Sequence, residues 1–410
     1  MTACPYSATH SADFDSHDPD LAADPFPTYE RLRAAGPVTW SSRWDGFWVA
    51  VGNHEVSTAA RSRHLVTGHT LPDGTVQGVT IPPLGQTGRM APLELDSPLA
   101  LRYRKVLAAF YSASNVRARH DELRELAREG LDAAIAAGTC DIVQALTLRL
   151  PAIVTMRDIG LPDDRWSDVD ALLHKALLSA PHDLAAARYH AQSITLEIVD
   201  RLEIVREQLE DDPQAPVGGL IARLLRTNVN GGPVPDEDIV SMMYFLLLGI
   251  DPTSTLTATA LWHLSHHPEL KRRLIDRPEL IPKAADEYLR WMSPVQGTSR
   301  TVASDVTLGG QELAAGERLF VSWAAANRDE SVYADAGEVR FDRATERHHA
   351  FGGGPHYCVG AGLVRAMFTV MMEEILTRVP DYEVAAEEAI TWFPNLSSFY
   401  GITSLPLRLA

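Results

Sequence analysis

The sequence predicts a mainly α-helical, single-domain protein with small β-sheets. Apolar residues recur at spacings of three and four through residues 115–225, where the breakers are few: Gly138, Pro151, the Gly160-Leu-Pro stretch, Pro181 and Pro213. Strand-like segments are short and fall at residues 38–40 and 47–51, in the region that the stretch Ser293 to Arg300 leads into, and in the C-terminal stretch from Leu396. A length of 410 residues gives a prior of about two or three domains. No proline-rich, serine-rich or charged linker divides the chain, however, and no repeat appears.

Composition narrows the function classes. The chain is 45% hydrophobic, ample for a large core, and carries a formal net charge of −17 with a pI near 5.3. That balance disfavours nucleic-acid binding. The cysteines Cys4, Cys140 and Cys358 are widely spaced, with no disulfide or CxxC pattern, which points to a reducing, cytoplasmic setting. The N-terminus is acidic and has no export signal. The longest apolar run, from Met242 to Leu248, is too short for a bilayer, so no membrane partner is expected.

In chain order, residues 1–24 read as a flexible tail ahead of a single domain over 25–410. Phe26-Pro-Thr-Tyr-Glu-Arg-Leu-Arg-Ala-Ala reads as a short amphipathic helix stopped by Gly36-Pro37. From Leu65 to Pro92 the chain is rich in Gly, Pro and Thr without helical period. Irregular segments of that length in compact proteins are usually functional. Asp96-Ser-Pro opens a helix to about Phe110, with Pro98 tolerated in its first turn. Pro235-Asp-Glu-Asp starts another, acidic in its first turn as the helix dipole prefers, and its pattern continues to His267-Pro268. Glu287 and Arg290 stand three apart on a helix and can pair. His263 and His267 are four apart at a helix end, and His348 and His349 are adjacent. Without a convergent third ligand both pairs read as structural rather than zinc-binding.

The most informative stretch is Phe351-Gly-Gly-Gly-Pro-His-Tyr-Cys-Val-Gly360, a glycine-rich loop with one cysteine just ahead of a helix over residues 361–378. Cys358 reads as a metal ligand. At a helix N-terminus, backbone N–H groups and the dipole favour a thiolate. The glycines allow close approach of backbone to a flat ligand, and Phe351 can shield the sulfur. A buried free cysteine beside a turn is the plainer reading, and the fixed residues Phe351, Gly352, Gly354, His356, Cys358 and Gly360 oppose it.

That pattern, Phe-Gly-x-Gly-x-His-x-Cys-x-Gly, resembles the haem-binding signature of the cytochrome P450 family, and the resemblance extends over nearly the whole chain. It implies a triangular prism fold, a b-type haem ligated by Cys358, dioxygen as co-substrate and an apolar small-molecule substrate. Two electrons would come from a separate ferredoxin or flavodoxin, since no flavin or NAD domain is fused within these residues. It further implies that Arg104, Arg300 and His356 neutralise the haem propionates, although Ala100 stands where the family often has a propionate-binding histidine. Leu248, Gly249, Val295, Gln296 and a C-terminal turn near Ser397 and Ser398 would face the substrate. The segment over residues 65–92 would cover it. The Glu287–Arg290 pair would be structural, with Arg343 or Arg347 as its third member.

Gly249-Ile-Asp251-Pro252-Thr253-Ser254 matches the family segment Ala/Gly-Gly-x-Asp/Glu-Thr-Thr, which bends the helix beside the dioxygen site. The match puts Asp251 at the acid and Pro252 where a hydroxyl-bearing threonine usually stands. Proline preserves a bend but removes the hydroxyl, and Thr253 lies about 100° further round the helix. A haem-thiolate enzyme for coupling, rearrangement or peroxide chemistry, and a haem-binding sensor, are the alternatives.

Overall fold

The computed structural model describes residues 11–83, 88–180, 182–343, 347–396 and 399–409, and in it the apolar stripes of the sequence become a helical core. The helices that matter for the site are α1 (Phe26–Ala35), α2 (Leu99–Phe110), α3 (His120–Ala137), α4 (Arg149–Ile159), α5 (Trp166–Ser179), α6 (Leu184–Asp211), α7 (Asp236–Leu247), α8 (Ile250–His266), α9 (Ile281–Met292) and α10 (Ala361–Arg378). α8 is buried along most of its length, from Ile250 to Leu264, and packs against α9, α10 and α4. A helix apolar on all sides must lie inside.

The run Asp236–His266, which spans α7 and α8, is long and apolar enough to cross a membrane by length and composition alone. Yet 56% of its most apolar window is buried inside the protein. The shorter run read from the sequence understated this helix, because small and hydroxyl-bearing residues extend its apolar character.

Six short strands form the main sheet: β1 (Ser11–Ala12), β2 (Val38–Ser41), β3 (Phe47–Ala50), β4 (Leu65–Val66), β5 (Gly297–Val302) and β6 (Arg318–Ser322), in the order β1-β2-β3-β6-β5-β4. β5 and β6 are antiparallel, with Arg300 opposite Leu319. The described part of the expected tail is not loose. β1 pairs in parallel with β2, and Phe14 is buried with its ring 5.4 Å from Phe320 and 6.1 Å from Tyr29. Polar composition hid this, since a single aromatic anchor is enough to pin the segment.

The Glu287–Arg290 pair is buried and bidentate, at 2.8 and 2.9 Å. Arg290 also donates to the carbonyls of Asn327 and Ala336, each at 2.9 Å. Arg343 is the third member, its Nε 3.1 Å from Glu287 Oε1. A buried charge pair is tolerable only when its remaining donors and acceptors are met, as they are here.

Candidate active site

The cysteine loop owes its path to glycine. Gly354 has φ of +61°, and a Cβ there would lie 2.1 Å from the carbonyl oxygen of Ala60, so no larger residue fits. The loop closes through Cys358 N–H donating to the Phe351 carbonyl at 2.9 Å, and α10 starts three residues on. The backbone N–H groups of Gly360 and Ala361 point at the sulfur, and the Arg104 and Arg365 guanidiniums lie near it. Burial nevertheless dominates and pushes the Cys358 thiol up. The dipole alone therefore does not make the thiolate expected from the sequence. A cation against the sulfur does so directly. Phe351 is buried as expected, with the Arg365 guanidinium 4.7 Å above its ring.

Cys358 opens into a cavity of about 1500 Å³ walled mainly by apolar side chains. Arg104, Arg300, His356, Phe351 and Gly360 line it beside the cysteine. Arg300 is buried, and it donates to the Ser299 carbonyl (2.8 Å) and Thr298 Oγ1 (3.1 Å). Arg104 donates to the Tyr357 carbonyl. Among the described residues neither arginine forms an ion pair. Burial lowers Arg300 to about 10, and burial together with the two arginines lowers His356 to about 4. Two cations and an imidazole gathered beside the cysteine, while the acids of the cavity wall, Glu203, Asp236, Glu237 and Asp238, stand on α6 and α7, call for an anionic ligand. A flat iron macrocycle with carboxylate arms meets that need while placing its metal by the sulfur, so the residues present fit a haem.

The opposite wall is the junction of α7 and α8. The helix is interrupted at Leu248 and Gly249, where Gly249 N–H reaches back to the Leu246 carbonyl at 3.0 Å. Leu248 is four residues before Pro252, whose missing N–H and ring oppose continuation of the helix through the Leu248 carbonyl, so the interruption accords with the bend expected of the proline. Leu248, Gly249, Pro252 and Thr253 line the cavity as expected, and Thr253 Oγ1 donates to the Gly249 carbonyl at 3.0 Å.

Asp251 does not line the cavity. It is 2% exposed and turned toward α5, where His174 Nε2 lies 2.7 Å from its Oδ1 and His174 Nδ1 lies 3.3 Å from Asp170 Oδ2. Burial alone would lower His174, but its hydrogen bonds to Asp170 and Asp251 push it up to about 10. Burial raises Asp251 against the pull of His174. One oxygen of each aspartate, Asp170 Oδ1 and Asp251 Oδ2, is buried without a hydrogen bond. Sequence reading missed His174. The one available signal was the Asp-x-x-x-His spacing on a helix.

Val295 lines the cavity, whereas Gln296 does not. Gln296 is buried behind it, accepting from Tyr29 Oη at 3.0 Å and donating to the carbonyls of Met292 and Ser293. Its long amide meets backbone groups left open where α9 ends, so it is structural. Ser397 and Ser398 lie outside the described residues. Phe399, next to them, is part of the cavity wall. The segment over residues 65–92 borders the cavity at Val79, Thr80, Gly88, Arg89, Met90 and Pro92.

A family model described as Cytochrome P450 matches residues 275–380. Over 375 residues the chain is 31% identical to a steroid C26-monooxygenase of Mycolicibacterium smegmatis, an alignment covering 89% of this chain and 88% of that one. The chain belongs to the cytochrome P450 family. This P450 is also 31% identical over 306 residues to a mycinamicin IV hydroxylase/epoxidase of Micromonospora griseorubida, covering 72% of the chain and 74% of that protein. Its fold superposes on the crystal structure of cytochrome P450 CYP101C1 with a TM-score of 0.84 at 26% identity, over 100% of both chains. It is thus a P450 monooxygenase, and membership implies a haem iron cofactor and dioxygen as co-substrate.

Proposed function

We propose that this P450 inserts one oxygen atom of dioxygen into a small, largely apolar organic substrate, by hydroxylation or O-dealkylation, using electrons from a separate ferredoxin or flavodoxin. The observation that carries the reading is the cavity beside Cys358, with Arg104, Arg300 and His356 turned to it and neither arginine in an ion pair among the described residues. Cys358 would hold a b-type haem there, and the bound group would supply the iron chemistry that activates dioxygen. Arg104, Arg300 and His356 bind and orient its carboxylates. The apolar wall formed by Leu248, Val295 and Phe399 excludes water and holds the substrate.

Reduction of one oxygen atom to water consumes two protons and two electrons. His174, charged between its two aspartates, stores a proton and passes it through the 2.7 Å contact to Asp251. Thr253, whose own hydrogen is committed to the Gly249 carbonyl, keeps oxygen lone pairs with which to hold a water at the cavity wall. Pro252 favours one second reading, a coupling or peroxide-driven enzyme that needs no relayed proton at that position.

The test is a carbon monoxide difference spectrum of the reduced protein, followed by a screen for compounds that shift the iron spin state. A red-shifted Soret band of a thiolate ligand, lost in Cys358→Ala, and substrate-dependent electron consumption with oxygenated product are expected. A native protein lacking that band would overturn the haem assignment. The band without electron consumption on any ligand would leave a haem-binding sensor.

A further inference from the structure

Two limbs of one irregular segment meet in the cavity wall, Val79 and Thr80 on the first, Arg89 and Met90 on the second. At these residues neither limb is helix or strand, so the backbone groups need partners from elsewhere. One side chain serves both limbs. Glu94 is 2% exposed, and its Oε1 accepts from Val79 N–H and its Oε2 from Met90 N–H, each at 2.9 Å. A buried carboxylate is costly unless its oxygens are met, and here each is met by a different limb.

The surroundings are fitted to that carboxylate. A Cβ on Gly78 would lie 1.7 Å from Glu94 Oε1, and one on Gly68 would lie 2.0 Å from the Glu94 carbonyl oxygen, so two glycines clear its place. From the sheet, buried Arg318 of β6 donates to the carbonyls of Gln77 (3.3 Å), Gly78 (2.6 Å) and Thr80 (2.8 Å), and Ser299 N–H of β5 donates to the Val79 carbonyl at 2.8 Å. The first limb is thus fixed to the sheet. The second is fixed to α7, where Ala91 N–H donates to Ser241 Oγ at 2.8 Å and Ser241 Oγ donates to the Arg89 carbonyl at 3.2 Å. Glu94 ties the limb held by the sheet to the limb held by α7.

We propose that Glu94 is a positioning residue that fixes the spacing of the two limbs and so sets which ligand shapes the cavity accepts, with Arg318 supporting the first limb. This rests on the cavity being the substrate chamber of a haem enzyme. The two oxygens of a carboxylate are a fixed distance apart, so the limbs cannot separate without breaking one of the two bonds. Glutamine at this position keeps the size but turns an NH₂ group toward one of the two N–H donors, so it holds one limb and not both.

The experiment uses the haem-loaded protein and two readouts. The first is hydrogen exchange of the amides in residues 77–81 and 89–91. In Glu94→Met both limbs should exchange about 10-fold faster or more, the worth of a hydrogen bond to a charged group. Glu94→Gln, nearly isosteric, should release one limb, and Arg318→Lys should loosen residues 77–80 alone. The second readout is the affinity of 1-alkylimidazoles, whose head ligates the iron, taken from the shift of the Soret band. In Glu94→Gln the affinity ratio between a cyclohexyl-terminated tail and a linear tail of equal carbon number should rise by about 10-fold, the scale on which a small change in an apolar pocket discriminates. Binding of 1-methylimidazole should stay as in wild type. Arg343→Met, a variant destabilised away from the cavity, should keep the wild-type ratio, so lost stability alone does not imitate the effect. Wild-type exchange at both limbs in Glu94→Gln, or a tail ratio unchanged from wild type, overturns the proposal. Failure of every imidazole to shift the Soret band would overturn the haem reading instead, and the exchange result would still decide whether Glu94 joins the limbs.

Discussion

His174 Nε2 lies 2.7 Å from Asp251 Oδ1, which ties the acid of the interrupted helix to α5 and away from the cavity. Asp170 accepts from the other side of the ring at 3.3 Å, and the Phe393 ring stands 5.8 Å off. A proton bound for the cavity therefore has to leave this cluster. His174→Gln removes the stored proton without emptying the space. Product formation should fall by about 100-fold, at the low end of what general acid–base assistance contributes. Reduced cofactor consumption should fall less, the difference appearing as peroxide. Unchanged coupling in this variant would remove His174 from the relay.

The same cluster fixes a pH dependence of stability. His174 is raised in the fold from its ordinary 6.5 to about 10 by its two carboxylate partners. Below pH 6.5 the ring is protonated in the folded and unfolded chains alike, and its stabilising contribution is fully present. That contribution declines as the pH rises from 6.5 toward 10. The gap in thermal midpoint between wild type and His174→Ala should accordingly be widest near pH 6 and shrink toward pH 10. A gap that widens over that interval would reverse the sign.

How much was legible in the sequence depended on how far the chemistry was spread along the chain. The loop from Phe351 to Gly360 holds its glycines, cysteine and histidine in one contiguous stretch, and the structure turns them toward one cavity. Arg104 and Arg300 could be placed because the resemblance to the P450 family extends to their segments. His174 could not. Its meaning comes from what another element brings against it, Asp251 of α8. Gln296 was misplaced for a related reason. Adjacent residues Val295 and Gln296 leave α9 through a turn, where no period tells which side chain faces the cavity.

Glu287 lies beneath Arg290 and Arg343 with little access to water, so removing a partner strands a buried charge. Arg290→Met should cost about 3–5 kcal/mol, a range typical for breaking a buried ion pair. Arg343→Met, which removes one contact to Glu287 at 3.1 Å along with bonds to the carbonyls of Ala334, Asp335 and Glu338, should cost less. Arg347→Met should change little. Denaturant midpoints of the three variants check the ranking.

Arg300 offers a test that separates a cofactor-binding role from a structural one. Its guanidinium is buried without an ion pair among the described residues, which burdens the empty fold and favours an anionic ligand. Arg300→Met should leave the apoprotein as stable as wild type or more so, while haem affinity falls. An apoprotein strongly destabilised by this change would assign Arg300 to the fold instead.

The proximal side of the cysteine loop carries Arg102 and Lys105, both exposed, next to Arg104. Arg365 is less available there, since its Nε pairs with Asp286 at 2.7 Å. If an acidic ferredoxin docks on this face, its reduction rate with the P450 should fall as ionic strength rises. Lys105→Glu should weaken the salt dependence more than Arg365→Gln. Salt-independent transfer would place the docking face elsewhere.

Position 252 is where this chain departs most from its family, and the structure changes what the departure should cost. Gly249 and its turn back to the Leu246 carbonyl remain when the proline is replaced, so the junction is expected to persist. Pro252→Thr should keep thermal stability within about 1 kcal/mol of wild type, as expected where proline fits a first turn. The variant gains a hydroxyl at the cavity wall beside that of Thr253. If Thr253 already holds the proton-carrying water, Thr253→Val should raise peroxide release several-fold in the wild-type background and do so less in Pro252→Thr, where the second hydroxyl substitutes. If the substrate's own polar group holds that water, both variants should behave as wild type with a well-fitting ligand and differ only with an isostere lacking that group. Peroxide yield per reduced cofactor, measured for the four combinations of residues 252 and 253 with each ligand, distinguishes the two routes. Equal yields throughout would show that protons reach the oxygen by a path that does not pass the junction of α7 and α8.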